Sequence, residues 1–274
     1  MKKKQSRKLL SSLALILAFA TPAMAETAEE KGFSIAARSD RSDRGFGDSE
    51  TTATMILRNS QGQESKRVLL QRIMEVADEN FGDKSVIVFE SPADVDGTAL
   101  LSHAKILDPD DQWLYLPALK RIKRISSKNK SGPFVGSEFA FEDFTAQELG
   151  KFDYKYLKAE PCPDNASVTC DVVERYPKYE FSGYKRQVTW IDQKDFQVRQ
   201  IDFYDRKDAH LKTLEFGDYK KYVTKGNDAV WRAQRLTMKN HLTGKSSDFL
   251  FDDYKFDLGL GDNDFEKGIL KRVR

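Results

Sequence analysis

From Thr51 onward the chain is written in the two-residue period of β-strands, and this pattern continues to Asp257. Strand signals fall at residues 54–58, 66–76, 85–90, 98–102, 112–116, 152–157, 171–175, 185–191, 197–204, 211–216, 229–239 and 249–257. Turn chemistry separates them: Asn59 to Gly62, Asp192 with Gln193, Asp205 to Lys207, and Thr243 to Lys245. Many short antiparallel strands at this spacing leave three architectures open: a sandwich, a barrel or an open half-barrel. Helices are expected only over residues 31–39, 137–149 and 263–270. No solenoid-type repeat is visible.

The stretch from Asp111 to Phe144 breaks the monotony. Residues 112–116 form a strand with Trp113 and Tyr115 on one face and Leu114 and Leu116 on the other. Both faces are apolar, so both should meet protein or ligand. Pro117 stops the strand. A basic strand follows over residues 121–127. Then come Gly132, Pro133 and Gly136, and a short helix with Ser137 as N-cap and Glu138 in its first turn. Phe141 and Phe144 are three apart and share a face; Phe134 and Phe139 lie in the approach and first turn. An aromatic helix hinged by glycines beside a two-faced strand has the makings of a lid, with ordinary core as the alternative.

The pattern of Trp113, Tyr115 and Pro117 resembles the LolA/LolB-like periplasmic lipoprotein carriers. The longer string through Ser127, Lys128, Asn129, Lys130, Ser131 and Gly132, then Gly136 and Ser137, is similar to the branch of outer-membrane lipoprotein-sorting proteins associated with RND-type exporters. The resemblance implies a twisted antiparallel half-barrel with a few short helices on its concave face, and an acyl chain held inside. It implies lipid or lipoprotein acyl chains as cargo, with an RND-type inner-membrane exporter and an outer-membrane acceptor as possible partners. On that reading Trp113, Tyr115, Phe134, Phe139, Phe141 and Phe144 form the cavity and its lid. A protein of the same fold that docks an exporter and carries nothing remains the alternative.

Residues 1–25 read as a secretory leader. Lys2, Lys3, Lys4, Arg7 and Lys8 make the charged start, residues 9–20 the apolar run, and Ala23, Met24 and Ala25 the cleavage site. A run of twelve residues is too short to span a bilayer, which takes about 20. A periplasmic mature chain of residues 26–274, forming one domain, is therefore expected. Without the leader's five basic residues the balance turns slightly acidic, with three more carboxylates than cations. That balance gives no support for nucleic-acid binding.

Cys162 and Cys170 bracket a turn-rich segment. In an exported chain they read as one disulfide, contributing roughly 2–3 kcal/mol in the chain-entropy model. Little else carries chemistry. His103, His210 and His241 are isolated in sequence, and no metal-ligand spacing, nucleophile elbow or phosphate loop occurs. No cofactor and no enzymatic activity are expected. Asp202, Asp205 and Asp208 are the one cluster that a hydrolase could use, but strand alternation splits Asp202 from Asp205. Lys120, Arg121, Lys123, Arg124, Lys128 and Lys130 form a basic run. It is read either as a solvated edge that discourages pairing or as a docking surface for an acidic partner or anionic headgroups.

Overall fold

The computed structural model describes residues 25–272 except 146 and 228. The leader reading falls on residues 1–24, outside this range. One α-helix opens the structure, α1 (Ala28–Ser42). Thr27 caps it: its hydroxyl accepts from the Glu30 N–H, and the Glu30 carboxylate accepts from the Thr27 N–H.

The strands follow in two runs. The first contains β1 (Asp48–Arg58), β2 (Glu64–Met74), β3 (Phe81–Ser91), β4 (Ala99–Lys105), β5 (Asp111–Leu116) and β6 (Arg121–Arg124). The second begins with β7 (Phe152–Cys162), β8 (Asn165–Pro177), β9 (Tyr184–Asp192), β10 (Val198–Asp205) and β11 (His210–Gly217). A small separate ribbon, β12 (Lys220–Tyr222) with β13 (Val230–Arg232), interrupts it. Then come β14 (Arg235–Asn240), β15 (Ser246–Phe251) and the two-residue β16 (Lys255–Phe256). The strand expected over residues 229–239 is thus two strands, because the chain leaves the ribbon at Ala233 and Gln234 before it joins the main sheet.

The main sheet is antiparallel and has the order β6-β5-β4-β3-β2-β1-β15-β14-β11-β10-β9-β8-β7, with β16 beside β1. β6 and β7 are both edges, so the sheet is open. Its two halves join in the middle, where β1 pairs with β15 in the register Ala53↔Phe251 to Arg58↔Ser246. The first run therefore walks from the centre to one edge, and the second returns from the other edge to the centre.

Alternation gives the sheet two different faces. The concave face carries Met55, Leu69, Ile87, Phe203, Met238 and Phe249 in one core cluster. The convex face of β3–β5 carries Val86, Val88, Ala99 and Leu101, covered by Phe265 and Leu270. The helix expected over residues 263–270 is two 3-10 turns, Asp262–Phe265 and Lys267–Lys271, and it lies on this outer side.

α1 covers the concave side of β7–β9, where Ile35 packs with Phe152, Tyr154, Val173 and Ile191. Gly32 permits the approach, since a Cβ there would stand 2.7 Å from the Tyr156 nitrogen. Residues 125–151 form a strap across the rest of the concave face. No α-helix forms among the described residues of 137–149; the strap holds the 3-10 turns Ser127–Asn129, Phe141–Phe144 and Leu149–Lys151. Ala140 and Thr145 bracket the second of these in extended backbone. The Cys162–Cys170 disulfide closes the β7–β8 hairpin, with Cα atoms 5.0 Å apart.

Candidate functional site

Between sheet, strap and α1 lies a cavity of about 530 Å³, within the range of small-molecule sites. Its floor is made by alternate residues of adjacent strands: Leu69 from β2, Ile87 from β3, Ile201 from β10, Leu214 from β11, Leu236 from β14 and Phe249 from β15. Alternation turns these apolar residues to the concave side, where polar neighbours such as Gln71 and Ser85 share the face.

Phe139 and Phe144 form its wall on the strap side. Phe139 sits edge-on to Phe249 at 5.0 Å, and Phe144 is 4.4 Å from Phe134. Phe134 is fully buried, behind the wall rather than in it, and Phe141 packs edge-on against Phe134 at 5.7 Å. The expected aromatic group does come together: Phe134 and Phe139 lie in the main core cluster and Phe141 and Phe144 pack against it.

Polar bonds hold this group down. The Phe134 N–H donates to the Phe139 carbonyl at 2.7 Å and the Glu142 N–H to the Lys130 carbonyl at 2.9 Å. Gln112 Nε2 donates to the Phe141 carbonyl at 2.9 Å, and the Glu138 N–H to Ser247 Oγ at 3.0 Å. Asp143 accepts from Lys212 Nζ at 2.9 Å and from the Tyr184 hydroxyl at 2.8 Å. The Glu142 carboxylate is buried and accepts from Ser182 Oγ, the Tyr179 hydroxyl and the Gly183 N–H at 2.8–3.1 Å. Burial, then the neighbouring Asp143 charge, pushes the Glu142 carboxyl above its ordinary range. The hydrogen-bonding acids Glu142 and Asp143 escape a reading that attends to the phenylalanines around them; the signal was a pair of acids placed between Phe141 and Phe144.

Trp113 and Tyr115 lie elsewhere. They pack on the convex face with Phe265 and Leu270, and Trp113 meets His103 edge-on at 5.1 Å. Leu114, on the opposite face of the same strand, joins the inner core. The basic run is also divided. Lys120, Arg121, Lys123, Arg124 and Lys128 are exposed around the edge strand β6. Arg124 pairs with Asp111, and Lys128 Nζ lies 5.4 Å from the Phe181 ring centre. Lys130 is withdrawn from any docking surface: it is buried and donates to the Asp110 carbonyl at 2.6 Å.

The three aspartates do not converge. Asp202 accepts from Thr213 Oγ1 at 2.7 Å, Asp205 from the Lys207 and Ala209 N–H groups, and Asp208 from Lys185 and Arg186. His210 and His241, far apart in sequence, meet with ring centres 4.3 Å apart. Both approach Thr213 Oγ1. Among the described residues no group of three or more His, Cys, Asp and Glu could hold a metal ion.

Near the C-terminus of α1 the cavity is polar. Arg44 reaches Asp40 at 3.3 Å and both Asp83 and Glu148 at 3.6 Å. Burial pushes Asp83 up to about 6 and raises Glu148 as well. On the β7–β9 side, Tyr154, Arg175, Gln187 and Thr189 line the cavity.

The family model that matches the chain, over residues 82–272, is described as an uncharacterized protein family. No curated protein matches. Among solved structures, the chain is 47% identical to an outer-membrane lipoprotein-sorting protein domain from Vibrio parahaemolyticus, covering 89% of this chain and 100% of that one at a TM-score of 0.84. It is 28% identical to a DUF1329 family protein from Desulfovibrio piger, covering 89% and 99% at 0.81. It is 20% identical to a LolA superfamily protein from Nitrosomonas europaea, covering 89% and 99% at 0.66, which shows a shared fold.

Proposed function

The chain belongs to the outer-membrane lipoprotein-sorting protein family and shares its fold with a LolA superfamily protein, and from that premise we propose that it is a periplasmic carrier holding acyl chains of a lipoprotein or lipid in the cavity between sheet and strap. The observation that supports this most is the cavity of about 530 Å³ floored by Leu69, Ile87, Ile201, Leu214, Leu236 and Phe249. Each methylene moved from water to such a floor gains about 0.8 kcal/mol. A carrier of this kind binds and releases without making or breaking bonds in its cargo.

On this reading the cargo travels toward an outer-membrane acceptor, received from an RND-type inner-membrane exporter. Lys120, Arg121, Lys123 and Arg124, exposed on and beside an open sheet edge, are the surface we assign to docking. Phe139 and Phe144 are the strap residues we assign to the acyl chain, with Phe134 and Phe141 bracing them.

Organic extraction of protein purified from the periplasm, followed by mass spectrometry, tests the carrier directly. Acylated species are expected to co-purify, and the emptied protein to take up a fluorescent fatty-acyl probe. Clean extracts together with no probe uptake would leave an accessory protein that carries nothing.

A further inference from the structure

Three cations among the described residues line the cavity, and two have carboxylate partners. Arg44 has Asp40, Asp83 and Glu148, and Arg232 has Asp43. The third is Arg175. Among the described residues no carboxylate lies within ion-pair distance of it. Its Nε donates to Gln187 Oε1 at 2.6 Å, and its guanidinium lies 4.8 Å from the centre of the Phe152 ring. Its two terminal nitrogens donate to no described residue. They are not sealed in, because Arg175 is partly accessible and lines the cavity.

Its surroundings are built rather than accidental. Tyr154, Arg175 and Gln187 stand in one cross-strand row on β7, β8 and β9. Thr189 is the next residue of β9 on the same face. It is 4% exposed, and its hydroxyl is buried without a hydrogen-bond partner among the described residues. The Tyr154 phenol, pushed up to about 12 by burial, stays a neutral donor. The acids within influence are committed elsewhere: Asp143 to Lys212 and Tyr184, Glu142 to Tyr179, Ser182 and Gly183.

A cation without a carboxylate partner that faces a half-enclosed cavity is costly and does little for the fold. Burial indeed pulls the Arg175 guanidinium below its ordinary value. A planar fork with both terminal nitrogens free matches a carboxylate or phosphate that brings two oxygens. Beside it begins an apolar floor. A ligand satisfying both must be anionic at one end and acyl at the other.

We propose that Arg175 is the head-group subsite of the cavity, where an acyl ligand ending in a carboxylate or phosphate pairs its anionic end while its tail lies on the apolar floor, with Gln187 steering the guanidinium and Thr189 and Tyr154 offering hydroxyls to the same group. This rests on the carrier reading and narrows it to anionic amphiphiles.

The test is calorimetric binding of dodecanoate, dodecyl phosphate, dodecanol and inorganic phosphate to the delipidated protein, to Arg175→Gln and to Arg175→Lys. Wild type is expected to bind at least one anionic amphiphile about tenfold or more tighter than dodecanol, the yield of a charge-assisted pair. Arg175→Gln should lose that preference while holding dodecanol as before, and Arg175→Lys should keep part of it. Equal binding of all three amphiphiles by wild type, or a preference that survives in Arg175→Gln, overturns the subsite and leaves the carrier standing. Inorganic phosphate binding as tightly as dodecyl phosphate would mean a free-anion site and overturns the amphiphile. No binding of any amphiphile overturns the carrier reading itself. The melting temperature of the ligand-free variants guards the interpretation: Arg175→Gln should melt no lower than wild type, and a collapsed Arg175→Gln marks Arg175 as a structural residue and overturns the proposal.

Discussion

Lys212 Nζ lies 2.9 Å from Asp143 Oδ2, and the two side chains are 4% and 7% exposed. The pair joins the strap to β11 through the interior of the protein. Removing one partner leaves the other charged and buried, at a cost of about 3–5 kcal/mol. Lys212→Met should therefore destabilise strongly in urea unfolding. The double variant Lys212→Met with Asp143→Leu should recover much of the loss, since two apolar groups leave no orphaned charge. Equal loss in single and double variants would mean that packing, not charge, joins strap to sheet.

The contribution of Asp83 to stability should decline as pH rises from 4 toward 7. Asp83 titrates near 6 in the folded protein because burial disfavours its charge, against about 3.9 unfolded. The folded state therefore holds the proton more tightly between these values. Its advantage is full below about pH 4 and is lost as pH rises through 6. Asp83→Asn should flatten this slope and stabilise at pH 7 by on the order of 2 kcal/mol, less whatever Arg44 returns to the ionised carboxylate. Urea midpoints at pH 4.5 and pH 7 decide it; a variant with the wild-type slope would shift the cause to Glu148 or Glu142.

The disulfide should be worth roughly 2–3 kcal/mol, as a loop of this size constrains the unfolded chain only modestly. The double serine variant at Cys162 and Cys170 is expected to fold and to melt lower. Unreduced, denatured wild type should label with no thiol reagent.

Phe134 and Phe144 should part company on mutation. Phe134 is fully buried, so Phe134→Ala should cost about 3–5 kcal/mol. Phe144 is half-buried and faces the cavity. Phe144→Asp should leave a folded protein whose uptake of a fluorescent fatty-acyl probe is weakened. An unfolded Phe144→Asp would make it core alone.

Charge reversal at Lys123 and Arg124 should hardly move the melting temperature, because both are exposed and surface pairs are worth about 0–1 kcal/mol. Association with an acidic partner or anionic vesicles should weaken and lose its salt dependence. Unchanged association would return the run to the role of a solvated edge.

The strands were legible because alternation writes itself into sequence. The strand over residues 112–116 has the two apolar faces that its sequence predicts. Which face looks inward was not legible, because both are equally greasy and the segment that covers Trp113 and Tyr115 lies some 150 residues onward, around Phe265 and Leu270. The helix over residues 137–149 failed for a physical reason. Phenylalanine spacing of three mimics a helical face, but here tertiary anchors to Gln112, Ser247 and Lys212 decide the backbone instead. Lys130 was indistinguishable from its exposed neighbours until Asp110 was placed beside it. Arg175 did leave a trace: alternation sets it on the face of Val173, a cation on an apolar side. Its signal is a single charge that violates the pattern, not a cluster of charges.

The strap leaves the sheet at β6 and rejoins it at β7, and these are its two opposite edges. It is therefore less a door than a bowstring. Twenty-seven residues could stretch to about 90 Å, but pins at Gln112, Ser247, Lys212 and Gly183 take up the slack. The two far edges of the sheet are thus tied to each other through side chains at its middle, and the spare length of chain between them lies folded against the concave face.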